Sequence, residues 1–173
     1  MSIVLAIAAA ILAVFGLTVF RGAPYVPSRK KDVAKVFGDV YELGPDDTLI
    51  DIGSGDGRIC MAAYQYGAEA IGYEINPFLV LISMWRARKM PGVSFRWRDF
   101  WHVQAPQSTT IVYTFGDGRD IERMATWVET QATRLGRPLY FLSYGFTLQS
   151  RKAVKRNQMY FLYRIQPLQP DKA

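Results

Sequence analysis

Two side-chain types are scarce in this 173-residue chain, which carries one cysteine and one histidine. Cys60 alone cannot close an internal disulfide or supply a paired-cysteine metal knuckle, so a disulfide scaffold and a zinc ribbon are excluded. His102 alone excludes His-rich metal sites and HExxH hydrolases, and no metal is expected. No Asn-x-Ser/Thr acceptor occurs, so nothing marks a secretory lumen. Acidic residues are outnumbered, 15 Asp and Glu against 21 Lys and Arg, giving a net charge of +6. Anionic surfaces such as lipid headgroups or nucleic acid are natural neighbours for such a chain. Half of the residues are apolar, which excludes a disordered tail, and the length suits one ordinary domain.

Charge is missing altogether from residues 3–20, a run of Ile, Val, Leu, Ala and Phe broken only by Gly16 and Thr18. As a helix it spans roughly 27 Å at ~1.5 Å per residue, close to a hydrocarbon core of about 30 Å. A cleaved signal peptide would have a basic stretch before the run and an A-x-A site after it, and neither is present. A core helix would be striped rather than apolar all round. The basic residues Arg21, Arg29, Lys30 and Lys31 instead follow the run. The expectation is one N-terminal transmembrane helix, single-pass, with the domain on the cytoplasmic or matrix-equivalent side. Three segments result: an anchor at 1–21, a linker and pre-domain helix at 22–45, and a ligand-binding domain at 46–173.

Past the anchor, strands and helices alternate. Apolar runs at 48–52, 68–75, 93–98, 110–115, 139–146 and 159–165 read as strands. Helical spacing runs through 58–66, from Pro77 behind an Asn76 N-cap, and through 119–135. The second of these helices carries Phe78, Leu81, Ile82 and Trp85 on one face, and its last turn is basic with Arg86, Arg88 and Lys89. Such alternation predicts an α/β fold, a Rossmann-like doubly wound and mostly parallel sheet.

A glycine loop, Asp51-Ile52-Gly53-Ser54-Gly55-Asp56-Gly57, ends the first strand and opens a helix, where doubly wound sheets bind ligands. A P-loop would need GxxxxGK[ST], and a dinucleotide fingerprint would need glycine where Arg58 stands. Carboxylates at Asp51 and Asp56 would repel a pyrophosphate. They suit S-adenosylmethionine, which carries a sulfonium and an ammonium, while loop N–H groups can meet its carboxylate. Glu74, at the end of the second strand, can accept from both ribose hydroxyls. Asp99, ending the third strand, can accept from the adenine amino group, with Phe100 and Trp101 flanking the ring.

At these residues the sequence resembles class I methyltransferases, specifically their compact protein-lysine branch, whose members include membrane-anchored mitochondrial enzymes. The matching segments are PYVPS at 24–28, LIDIGSGDGRI at 49–59, GYEINPFLV at 72–80, RDFW at 98–101 and VYTFG at 112–116. The resemblance implies S-adenosylmethionine as cofactor and a protein lysine, in a membrane or beside one, as acceptor. It implies cofactor contacts from Asp51, Gly53, Ser54, Gly55, Asp56, Gly57, Glu74, Ile75, Asn76, Asp99, Phe100 and Thr114. Residues 24–28 would form a lid, and the end of the fourth strand would border the transferred methyl. Tyr25, Phe115 and Tyr144 are candidate walls of the methyl-transfer channel. The fold would be shortened at its C-terminus, with one further strand at 159–165. A nucleic-acid acceptor is disfavoured, because Thr114-Phe115-Gly116-Asp117 stands where [DNS]-P-P-[YFW] would grip a planar amine. A small-molecule, lipid or RNA acceptor, or a non-catalytic cofactor-binding module, are the alternatives. The basic cluster Arg151, Lys152, Lys155 and Arg156 is expected in a loop, touching anionic lipid or merely solvated.

Overall fold

The computed structural model describes residues 36–116 and 118–168, together with Ile3 and Leu5. The lid at 24–28, Tyr25, Asp117 and almost all of the apolar run at 3–20 lie outside the described residues. Among those that are described, no helix is long and apolar enough to cross a membrane.

In chain order the elements are β1 (Thr48–Ile52), α1 (Arg58–Gln65), β2 (Glu69–Glu74), α2 (Pro77–Arg86), β3 (Val93–Trp97), β4 (Ile111–Thr114), α3 (Ile121–Leu135), β5 (Leu139–Tyr144), β6 (Lys155–Asn157) and β7 (Tyr160–Ile165). A 3-10 turn at Phe100–His102 follows β3. The seven described strands form one sheet in the order β3-β2-β1-β4-β5-β7-β6. The first five are parallel, and β7 runs antiparallel between β5 and β6. The strand order reverses between β1 and β4, so a crevice opens beyond their carboxyl ends.

Both faces are covered, as a doubly wound sheet requires. Helical residues 36–39, α1 and α2 bury Leu49, Ala70, Phe95, Ile111 and Leu142 on one face. On the other, α3 packs Ile121, Met124, Val128 and Ala132 against Ile50, Ile52, Val112 and Phe141. β1 is buried at all five positions, which is why it reads as a near-continuous apolar run, interrupted only by Asp51, rather than an alternation.

One expectation requires correction. The sheet is not short of a strand: β6 precedes β7 and pairs Lys155↔Leu162, Arg156↔Phe161 and Asn157↔Tyr160. Its Lys-Arg-Asn sequence has no strand propensity, and a charged, three-residue edge strand is what protects a sheet from further pairing. Lys155 and Arg156 therefore belong to a strand, with the Arg156 guanidinium 5.1 Å from the Phe161 ring centre. The apolar face of α2 points outward. Its buried residues are Val80 and Ser83, while Leu81, Ile82 and Trp85 are exposed.

Candidate active site

The glycine loop turns because three residues adopt positive φ: Gly53 at 73°, Gly55 at 54° and Gly57 at 81°. Only glycine enters that region without strain. The turn is fixed from β2, since the N–H groups of Gly53 and Ser54 both donate to the Tyr73 carbonyl, at 2.9 and 3.1 Å. Space demands glycine as well. A Cβ on Gly57 would come within 2.5 Å of Phe95 Cζ, and one on Gly72 within 2.6 Å of both Phe95 Cδ1 and Ser54 Oγ. Gly72 was not among the expected site residues, although a glycine inside a strand signals close approach of another chain segment.

Glu74 is buried and pinned by both oxygens. Oε2 accepts from the Gly55 N–H at 2.9 Å, and Oε1 accepts from the Asn76 N–H at 2.8 Å. A carboxylate has about four acceptor positions, so two remain for a ligand. Asn76 caps α2, its Oδ1 accepting from Phe78 N–H at 3.0 Å and Leu79 N–H at 3.4 Å. The Ile75 carbonyl accepts from Trp97 Nε1 at 3.0 Å. Strand ends, loop and helix start are thus one hydrogen-bonded unit.

Asp51 is 2% exposed, and among the described residues its carboxyl accepts only from the Cys60 thiol, 3.8 Å away. Burial first, then the charge of Glu74, pushes its pKa up to about 8, with the thiol pulling slightly the other way. Glu74 has two backbone N–H donors where Asp51 has a weak thiol, so the proton of this acid pair belongs on Asp51. Burial and the neighbouring Asp51 push the Cys60 thiol up in turn. Cys60 is therefore more than an apolar filler. Nothing in its spacing from Asp51 could have announced the contact.

Other expected residues are placed differently. The Asp56 carboxylate turns to the helices, accepting from Arg58 Nε at 2.8 Å and from Arg86 Nη1. Arg86 also donates to the Asp56 carbonyl at 2.9 Å. Two guanidiniums neutralise this acid, so it latches the loop to α2 rather than lining the turn as free negative charge. The Thr114 side chain is fully buried, its hydroxyl 3.5 Å from Met124 Sδ, and it does not face the crevice. Phe100 and Trp101 do not bracket an open slot. Their rings lie 4.2 Å apart, and Phe100 also meets Trp127 edge-on at 5.8 Å. Asp99 caps the 3-10 turn through Trp101 N–H at 3.1 Å and keeps a half-exposed carboxylate, with the exposed His102 ring 3.6 Å away.

At the ends of β4 and β5, Phe115 and Tyr144 stack with ring centres 5.0 Å apart. Tyr144 continues onto Tyr160 of β7 at 4.7 Å, so the two expected wall residues come together with a third aromatic. Only the antiparallel register Tyr144↔Tyr160 brings that third ring in.

The fit to a cationic nucleoside cofactor is testable on these residues. Two buried acids at adjacent strand tips hold one proton between them, and a cation beside them is what lets both ionise. The Ser54 hydroxyl is buried with no hydrogen-bond partner among the described residues, a donor and acceptor left for a ligand. The positive-φ turn leaves no side chain over Gly53, where a Cβ would meet nothing within 4 Å. The fold, the glycine turn and its acid pair define a class I S-adenosylmethionine-dependent methyltransferase domain.

Comparison with known proteins sharpens this to a family. Residues 51–155 match the ANTKMT methyltransferase domain, and the chain belongs to that family. It is 42% identical over 93 residues to the mouse (Mus musculus) ATP synthase C-subunit lysine N-methyltransferase, covering 51% of this chain and 36% of the relative. It is 39% identical over 84 residues to the mouse adenine nucleotide translocase lysine N-methyltransferase, covering 46% and 36%. The chain thus matches little more than a third of these relatives' length. Among solved structures, an RNA methyltransferase from Salinibacter ruber in complex with S-adenosyl-L-homocysteine superposes with a TM-score of 0.73 at 23% identity, covering 85% of this chain and 98% of that one. That likeness speaks for the fold alone.

Proposed function

We infer that this chain is an S-adenosylmethionine-dependent methyltransferase that N-methylates a lysine side chain in a protein, held at a membrane by residues 3–20. The observation that carries the reading is the buried Asp51–Glu74 pair behind a positive-φ glycine turn. When bound, the cofactor supplies an electrophilic methyl on a positively charged sulfur. The loop around Gly53, Ser54 and Gly55 would hold its amino-acid end, Asp51 its ammonium and Glu74 its ribose. Asp99 keeps its place as the candidate for the adenine amino group.

The chain's own contribution to the transfer is positioning and proton management. A lysine amine with a pKa near 10.4 is almost wholly charged at neutral pH. The stacked Phe115 and Tyr144 rings, backed by the buried Tyr160, would form an apolar wall that disfavours the ammonium by desolvation and leaves a neutral amine able to attack in line. The exposed His102 is not needed in this scheme. The matches to the lysine N-methyltransferases of the ATP synthase C-subunit and of adenine nucleotide translocase support a protein lysine as acceptor. The uncharged run at 3–20 followed by Arg21, Arg29, Lys30 and Lys31 supports the anchor and a cytoplasmic or matrix-equivalent domain.

Incubating the full chain with methyl-labelled cofactor and its own membrane fraction tests the acceptor. Label in a protease-sensitive band that releases methyl-lysine on acid hydrolysis is the expected result, whereas label in lipid or RNA overturns it. Asp51→Ala and Glu74→Ala should each abolish cofactor binding in calorimetry, and unchanged affinity in both removes the site. With residues 1–20 deleted, a high-salt wash should remove the protein from membranes, and pelleting after that wash argues against the anchor.

A further inference from the structure

The outer face of α2 has the wrong chemistry for water. Leu81 is 63% exposed, Met84 51% and Trp85 66%, and Ile82 lies beside them at 47%. Residues 77–85 contain no charged side chain, although a helix on the flank of a sheet ordinarily turns a polar face outward. The patch continues onto β3, where Trp97 is 65% exposed, through a groove of about 510 Å³ between Leu81, Met84, Phe95 and Trp97. Large contiguous apolar patches on a soluble surface mark interaction sites.

Charge identifies the partner. Between Glu74 and Asp99 there is no acidic residue, while Arg86, Arg88, Lys89, Arg96 and Arg98 all fall in that stretch. Arg86 is engaged by Asp56. Lys89, Arg96 and Arg98 are exposed and form no salt bridge among the described residues. Lys89 follows the last turn of α2, while Arg96 and Arg98 alternate with Phe95 and Trp97 along and just past β3, Arg96 on the Tyr73 side, and only border the groove. Arg88 lies 4.7 Å over the Trp85 ring, keeping a cation at the patch edge. Protruding aliphatics, two indoles and a mainly cationic border are the composition of an element that lies in the headgroup layer of an anionic bilayer. RNA is a poorer match, since Leu81, Ile82 and Met84 offer no ring for bases to stack on. The uncharged run at 3–20 could cover the apolar surface but would leave the cationic rim without counter-charges.

We propose that the α2–β3 face, centred on Leu81, Trp85 and Trp97, docks the domain directly on an anionic lipid surface, fixing its orientation beyond what a tether would do. The proposal uses the membrane attachment inferred above only to bring the domain near the bilayer, and it is independent of the methyl acceptor.

The test uses the full chain in vesicles of phosphatidylcholine with phosphatidylglycerol. Ile82→Cys carries an environment-sensitive fluorophore, and Thr126→Cys, exposed on α3 across the sheet, is the control. Cys60 is fully buried and stays unlabelled in the native protein. Brominated lipids should quench the label at 82 and not that at 126. Lys89→Gln and Arg88→Gln should each lower the odds of the quenched state on the order of fivefold, the weight of one cation at such a surface. Equal behaviour of the two labels overturns the proposal. So does a label at 82 already protected without lipid, which points to residues 3–20 or a second copy, or one protected only by added RNA. Flotation of the vesicles reads attachment separately. Loss of methyl transfer with quenching retained would count against the enzymatic reading alone.

Discussion

Replacing Asp51 by asparagine keeps the shape of the buried side chain and removes its ability to ionise. In the native protein the carboxyl titrates near 8 instead of 3.8, because burial and Glu74 oppose its charge. Between those two values the folded protein holds a proton that the unfolded chain has shed. The stabilisation is complete below the unfolded pKa and is lost as pH climbs to the folded one. The slope is at most about 1.4 kcal/mol per pH unit, so pH 5 to pH 8 costs about 4 kcal/mol, or roughly 2 M in urea midpoint for an m-value near 2 kcal/mol/M. Asp51→Asn should flatten that part of the profile and be the more stable protein at pH 8. The same residue links pH to ligand binding. Accepting a cationic ligand at pH 7 requires wild-type Asp51 to give up about 0.9 proton, visible as buffer-dependent enthalpy when S-adenosylhomocysteine is titrated in two buffers. The variant should release none and bind more weakly. Parallel urea profiles for the two proteins, or equal proton release, would refute the assignment of the proton to Asp51.

Gly57→Ala combines a left-handed backbone with a 2.5 Å collision with Phe95, and should lose about 2–4 kcal/mol, on the order of 5–10 °C in Tm. Gly136→Ala, equally left-handed but with open space around its Cβ, should lose only about 1 kcal/mol, and similar Tm values for the two would contradict the packing argument. Asp56→Ala leaves the part-buried Arg86 without its carboxylate; a loss of about 1–3 kcal/mol in urea unfolding is expected, larger than any change in cofactor binding energy. Tyr144→Ala breaks the stack joining Phe115 to Tyr160 and should slow methyl transfer by about tenfold or more with cofactor affinity little changed. Equal losses in rate and cofactor binding would place Tyr144 in the cofactor pocket instead.

The sequence alone determined the framework and the loop. Buried parallel strands are continuous apolar runs, so β1 was readable to the residue, and Asn76-Pro77 marked the start of α2 because caps are local chemistry. That Asp51 and Glu74 come together was legible, since the ends of neighbouring parallel strands must converge in a doubly wound sheet. Which acids remain available was decided by partners distant in the chain. Asp56 is claimed by Arg86, 30 residues on, and Thr114 is turned under α3 by its strand register. Tyr160 reaches Tyr144 only because β7 inserts antiparallel beside β5, and β6, lacking strand propensity, exists only through its pairing with β7. The outward face of α2 was likewise invisible, since periodicity finds an apolar stripe but not the direction in which tertiary packing turns it.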